Sequence, residues 1–126
     1  MENPTKVLIV EDDIITQQIL GLYMIEYDHI IVSDGEEAIE KCQTNQYDII
    51  LMDIRLKSGF DGVKAFKKIK QIEGYINVPI LAITAYAMRG DKEYFLEEGF
   101  DGYLAKPFLK ENLIEIINSV LKKEAV

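Results

Sequence analysis

The chain has 126 residues, 48% hydrophobic and 29% charged, and 14 Lys plus Arg against 22 Asp plus Glu leave a net charge of −8. That length suits a single domain with a real core, over residues 1–126. The acidic balance excludes a nucleic-acid backbone or an anionic membrane face as the expected partner, because both attract basic surfaces. Cys42 is the only cysteine, so no internal disulfide ties the fold to an oxidising compartment. No apolar run approaches the roughly 20 residues of a spanning helix. The opening MENPTKVLIVEDD sets acids straight after a short apolar stretch, unlike a signal peptide. The expected location is therefore the cytoplasm.

Short β-rich runs alternate with helical spacing along the chain. Val7–Val10 reads as a strand, followed by a helix with Ile15, Ile19 and Leu22 on one face and Asp12 or Asp13 as its cap. Ile30–Val32 is the second strand. Ala38, Ile39 and Cys42 mark the next helix, where Ser33 and Glu36 have capping-box spacing. Ile49–Met52 leads to a stripe of Val63, Phe66 and Ile69, with Asp61 as N-cap. Val78–Ile83 leads to a helix over Asp91–Glu98 that presents Phe95 and Leu96 and stops at Gly99. Gly102–Ala105 precedes the cleanest helical pattern, Leu113, Ile116, Ile117, Val120 and Leu121.

The first, third and fourth runs are nearly continuous in apolar residues, as strands covered on both faces must be. Five β-α pairs in series predict an α/β fold, a (βα)5 doubly wound parallel five-stranded sheet of flavodoxin-like order 2-1-3-4-5.

In such sheets ligands bind outside the carboxyl ends of the strands, at the switch point between the first and third. Strand one ends in Glu11-Asp12-Asp13, strand three in Asp53, strand four in Thr84-Ala85 and strand five in Lys106-Pro107. Glu11, Asp12 and Asp53 should converge. Two like charges about 4 Å apart repel by roughly 4 kcal/mol at an effective dielectric near 20, so the cluster calls for a cation. A few carboxylates, a backbone carbonyl and waters are the usual ligands of Mg2+. Lys106 adds a positive charge at the same edge, which a cis bond before Pro107 would aim inward, and Thr84 adds a hydroxyl donor. The set suits a phosphoryl group, with Asp53 placed to be a carboxylate nucleophile.

The segments KVLIVEDD, DIILMDIRL, PILAITAYA and DGYLAKPF, in this order and spacing, resemble the receiver domains of two-component response regulators, from about Lys6 to about Leu121. The resemblance implies Glu11 and Asp12 as the acidic Mg2+ pair, Asp53 as phosphoacceptor and third ligand, and Arg55 as donor of a backbone carbonyl to the metal. It implies Thr84 as switch hydroxyl, Lys106 as phosphate-pairing lysine and Tyr103 as aromatic switch. The partners it implies are a histidine kinase or histidine phosphotransfer protein and a downstream protein target. Its only catalysis would be its own phosphorylation and dephosphorylation. The aspartyl phosphate would draw in Thr84, let Tyr103 turn inward and shift the face of the fourth helix, fifth strand and fifth helix.

The sequence departs from the family where Lys57 replaces a common proline. Ser58-Gly59-Phe60 then delays Asp61-Gly62 by one residue, lengthening the loop. Arg55 and Tyr86 occupy two positions that tune hydrolysis in this family. With the chain ending at Val126, output is expected to go through protein contact or onward phosphotransfer, and both a single-domain regulator and a piece of a hybrid kinase fit the sequence.

Other readings compete. Asp13 is expected to be only a cap, and without the resemblance Tyr103 would be core. Phe108 is expected in the core, and Tyr23, Tyr27, Tyr47, Phe66 and Phe95 in the core or on half-buried faces. Cys42 is expected to be inert. His29 lies at the wrong sheet end for a role, and Lys67-Lys68 and Lys122-Lys123 read as solvated surface. A phosphatase working through an aspartyl phosphate would need a substrate pocket and an acid two residues after Asp53, where Arg55 stands. A phosphorylation-independent interaction module with a receiver fold is the alternative, against which the complete acid, threonine and lysine set argues.

Overall fold

The computed structural model describes residues 4–55, 62–85 and 90–125. Lys57, the Ser58-Gly59-Phe60 insertion, Asp61 and Tyr86 lie outside the described residues, as does the side chain of Lys123. The β-branched runs form β1 (Lys6–Val10), β2 (Asp28–Val32), β3 (Ile49–Asp53), β4 (Ile80–Thr84) and β5 (Gly102–Ala105). Between and after them run α1 (Ile14–Tyr23), α2 (Gly35–Thr44), α3 (Gly62–Lys70), α4 (Asp91–Glu98) and α5 (Lys110–Ala125). All strand pairs are parallel, in the order β2-β1-β3-β4-β5.

Alternation along the strands splits the core in two, because successive side chains leave opposite faces. Val7, Ile9, Ile49, Leu51, Leu81 and Ile83 face α1 and α5, while Leu8, Val10, Ile50, Met52, Ile80 and Ala82 face α2, α3 and α4. β3 and β4 are buried along their whole length, as continuous apolar runs require. β2, at the edge, alternates between exposed and covered positions. Each fully buried aliphatic side chain contributes about 1.5–3 kcal/mol, so the central strands anchor the sheet end where the acids sit.

Four local expectations need correction. The stripe Ile15, Ile19 and Leu22 faces outward, at 67%, 42% and 67% exposure, and α1 instead packs through Leu20 and the following Met24, with Tyr23 half-buried. This helix is apolar around most of its circumference, so periodicity alone admits more than one stripe. The cap of α2 is Asp34, which accepts from Glu37 N at 2.8 Å, one residue beyond the expected Ser33–Glu36 pair. Glu37 reaches back to accept from Ser33 N at 3.3 Å. In α4 Phe95 is buried but Leu96 is exposed. Finally, β2 starts at Asp28 and β4 at Ile80, which shifts two strand starts by two residues.

Most other expectations hold. Asp13 caps α1, accepting from Thr16 N at 2.9 Å. Gly99 ends α4 in the left-handed region, with φ 114°. Leu113, Ile117 and Val120 are the buried stripe of α5. Tyr47, Phe66, Phe95 and Cys42 are buried, and Tyr23 and Tyr27 are half-buried; Phe108, expected in the core, is instead half-buried and packs against the core's edge. Burial pushes the Cys42 thiol up to about 11, a resting state in which it is protonated and unreactive. Among the described residues no helix is long and apolar enough to cross a membrane.

Candidate functional site: an acid–lysine pocket at the sheet's carboxyl edge

The pairing of β1 with β3, Val10 opposite Met52, places Glu11 and Asp53 side by side where the two strands end. Glu11, Asp12 and Asp53 each offer a carboxylate oxygen, and these oxygens lie within 4.8 Å of one another. Glu11 is 1% exposed and Asp53 5%, while Asp12 is half-buried. Lys106 bridges the two buried acids, with Nζ 2.5 Å from Glu11 Oε1 and 3.4 Å from Asp53 Oδ2. It follows the end of β5, where its backbone N–H donates to the Thr84 carbonyl at 2.8 Å. The Lys106–Pro107 peptide is cis.

Backbone donors fix Asp53 and Glu11 individually. Arg55 N–H donates to Asp53 Oδ1 at 3.1 Å, and Asp13 N–H donates to Glu11 Oε2 at 3.1 Å. Among the described residues the three carboxylates meet the one ammonium of Lys106. Burial, then the Glu11 charge, pushes the Asp53 carboxyl up from 3.8 to about 7, although Lys106 and the Arg55 N–H pull the other way. Burial alone would lower Lys106, but the hydrogen bond to Glu11 and the charges of Asp53 and Glu11 outweigh it and hold Lys106 above its ordinary value. An all-oxygen donor set with surplus negative charge fits a hard divalent cation better than zinc or copper.

Close packing guards the acceptor side. Gly62 opens α3 and its N–H donates to the Ile54 carbonyl at 2.9 Å. A Cβ there would sit 2.5 Å from the Asp53 carbonyl oxygen and 2.8 Å from Ile54 Cα, both backbone atoms that cannot swing aside. Gly62→Ala is therefore expected to lose about 1–3 kcal/mol by overpacking, read from the urea midpoint at unchanged m-value. An unchanged midpoint would mean that α3 moves freely away from β3.

Thr84 ends β4 and is 2% exposed, one residue past the Asp53–Ile83 register pair. Tyr103 lies apart from the acids. Its ring stacks on Phe95 with centroids 5.9 Å apart, and Phe95 meets Phe100, which stacks on Phe66. The Tyr103 hydroxyl is already buried, with no hydrogen-bond partner among the described residues. His29 is in β2, toward the opposite end of the sheet, and its Nδ1 lies 3.1 Å from the Tyr27 carbonyl.

Two residues escaped the sequence reading. Tyr75, 1% exposed, accepts from Tyr47 N–H at 3.0 Å and donates to the Asn45 carbonyl at 2.6 Å, closing the far end of the sheet. Gln17 on α1 bonds the backbone of Glu11. A polar residue on an amphipathic helix gives no sequence signal for such a bond.

The response regulator receiver domain model matches residues 7–118. Hybrid signal transduction histidine kinase I of Dictyostelium discoideum is 39% identical over 129 residues, covering 95% of this chain but only 7% of that protein. The polar-differentiation response regulator DivK of Brucella anthropi is 34% identical, covering 94% of this chain and 97% of its own length. The receiver domain of the sensor histidine kinase PA1611 from Pseudomonas aeruginosa superposes with a TM-score of 0.86 at 35% identity, covering 95% of this chain and 99% of that one. Its crystal structure has a magnesium ion coordinated in the active-site cleft. A match of this extent, on the sheet order and pocket just described, places the chain in the response regulator receiver domain family of two-component signalling.

Proposed function

We propose that the chain is a phosphorylation-dependent switch in which Asp53 accepts a phosphoryl group. The observation that carries this reading is the bridge of one half-buried lysine across the buried Glu11 and Asp53, beside a third carboxylate. Such a pocket favours a cation and an anion together. Glu11, Asp12 and Asp53 would hold Mg2+, with the Arg55 carbonyl as a further ligand. When bound, Mg2+ would neutralise charge on the transferring phosphoryl oxygens.

The transfer balances simply. An Asp53 carboxylate oxygen forms the new O–P bond while the P–N bond of a phosphohistidine breaks, and the leaving imidazole takes up a proton. Lys106 and the Thr84 hydroxyl would then face phosphoryl oxygens, which strengthens Lys106's role from ion pair to anion clamp. Because the Tyr103 ring is already inward, phosphorylation would hold it there rather than bring it in. The switch is then a population shift, which requires the phosphoryl group to interact differently with the two arrangements of β4, α4 and β5.

A protein donor, a histidine kinase or histidine phosphotransfer protein, fits the surroundings of the pocket. The outward apolar side chains Ile14, Ile15, Ile19 and Leu22 follow directly on the acidic loop, and Ile19 shares a cleft of about 240 Å3 with Lys106, Pro107 and Phe108. A downstream protein target would read the α4–β5–α5 face, where Tyr94 and Leu96 are exposed.

The test is intact-protein mass after incubation with a small acyl phosphate, with and without Mg2+. Wild type should gain one phosphoryl group only with Mg2+, and Asp53→Asn should gain none. An equal gain in Asp53→Asn would sink Asp53 as acceptor. No gain in folded wild type, and no consumption of donor, would favour a phosphorylation-independent module.

A further inference from the structure

Four aromatic rings run from α3 to β5 through the core, and the first of them stands one turn inside α3. Phe66 stacks on Phe100 with centroids 4.0 Å apart and planes at 21°. Phe100 meets Phe95 of α4 edge-on at 5.8 Å and 83°, and Phe95 stacks on Tyr103 of β5 at 5.9 Å and 17°. Phe66, Phe95 and Phe100 are buried, so each can shift only together with its neighbours. The tip of Phe66 also abuts the end of α4, where a Cβ on Gly99 would lie 3.1 Å from Phe66 Cζ.

At its start the same helix is seated on the acceptor. Gly62 has no room for a Cβ against the Asp53 carbonyl and Ile54 Cα, and its N–H holds the Ile54 carbonyl. Any movement of the Asp53–Ile54 peptide therefore carries the start of α3 with it. Such a movement has a cause in the acceptor itself. Arg55 N–H donates to Asp53 Oδ1, and an O–P bond at that carboxylate moves negative charge from its oxygens to the phosphoryl oxygens. The N–H turns toward the new charge, and the backbone over 53–55 turns with it. α3 is anchored in the core through Ala65, Phe66 and Ile69, and passes the displacement on as one rigid element. We propose that Phe66 is a positioning residue that passes the state of Asp53 to α4 and Tyr103, through Phe100 and Phe95, by a route separate from the Thr84 hydroxyl. The proposal rests on the phosphoryl-acceptor reading given above.

The test is the backbone amide spectrum of the full chain in NMR with Mg2+, before and after acetyl phosphate. The proteins are wild type, Phe66→Leu, Phe100→Leu and the double variant. Leucine keeps most of the core volume and removes the flat face that stacks. Intact mass should show the same phosphoryl gain in all of them, because both rings lie among the apolar side chains of the core. In phosphorylated wild type the amides of α4 and β5 should move toward a second arrangement. In Phe66→Leu the equilibrium constant between the two arrangements, read from how far those amides travel, should fall about threefold, within the range by which residues along a coupled network act. Phe100→Leu should give a similar loss, and the double variant no more than the larger single one, because the rings act in series. Full amide displacement in phosphorylated Phe66→Leu, whatever its urea midpoint, would show a merely structural ring and overturn the proposal. Losses that add in the double variant would overturn it as well, since the two rings would then act separately. So would a reduced phosphoryl gain in Phe66→Leu, or α4 and β5 amides that stay in place in phosphorylated wild type. No phosphoryl gain in wild type would instead overturn the acceptor reading, and this inference with it.

Discussion

Lys106→Met is expected to unfold at a markedly lower temperature than wild type in metal-free buffer at neutral pH. Lys106 bridges two acids that are 1% and 5% exposed, and it keeps 17% of its own side chain in water. Removing one partner of a buried ion pair costs about 3–5 kcal/mol, because the other charges stay behind without compensation. Partial solvation of the lysine head discounts this to about 2–4 kcal/mol. For a domain of this size that is a fall of roughly 6–15 °C in the melting midpoint. Added Mg2+ should return more stability to the variant than to wild type, since a cation at the same acids replaces the missing charge. Phosphoryl uptake from a small donor should drop about 100-fold or more, the usual consequence of removing one aimed charge donor. An unchanged midpoint and rate would show that the bridge does not hold in solution.

Removing a negative charge should act in the opposite direction. Asp53→Asn is expected to be more stable than wild type in metal-free buffer at pH 7.5, by about 1–3 kcal/mol. The sign follows from the raised carboxyl. The folded chain keeps a proton on Asp53 up to about pH 7, whereas the unfolded chain releases it near 3.8. Between those values the folded state binds more protons, so wild-type stability falls as pH rises through the window. Asparagine does not titrate, and the two proteins should therefore converge below about pH 4 and diverge toward pH 7.5. Urea midpoints across pH 4–8, with a chelator present, measure the difference. A gap that is constant across that range, or a less stable Asn variant at pH 7.5, would contradict the account. Saturating Mg2+ should narrow the gap by stabilising wild type.

The fold was legible because its signals agree with one another. Ile49–Met52 and Ile80–Ile83 are apolar without alternation, which only a strand buried on both faces explains, and the Asp53 that follows is then a charge with no solvent to sit in. The acids, the threonine and the lysine are legible because each stands at a strand's carboxyl end, a place that topology fixes before any side chain is placed.

What stayed hidden depends on phase and on reach. On α1, Ile14, Ile15, Ile19, Leu20, Leu22 and Tyr23 offer several apolar stripes. Only the packing of Leu20 and Met24 on β1 and β3 selects one. The α2 cap slipped by one residue because Ser33 and Asp34 are both good caps, and Glu37 rather than Glu36 reaches back. The bond from Gln17 joins a side chain to a backbone carbonyl six residues earlier, a contact set by the loop's path rather than by residue type. The inward Tyr103 is likewise a matter of packing, decided by the Phe95, Phe100 and Phe66 rings.

The central claim is that Asp53 carries the phosphoryl group, and chemical trapping of the acceptor tests it most directly. Borohydride reduces an acyl phosphate to an alcohol, turning a phosphorylated aspartate into homoserine, while free carboxylates do not react. After incubation with a small acyl phosphate and Mg2+, reduction and tryptic digestion, the peptide over residues 42–55 should carry homoserine at position 53 and an unaltered Asp48. Homoserine at Asp12, or none in a folded protein that consumes the donor, would contradict the account.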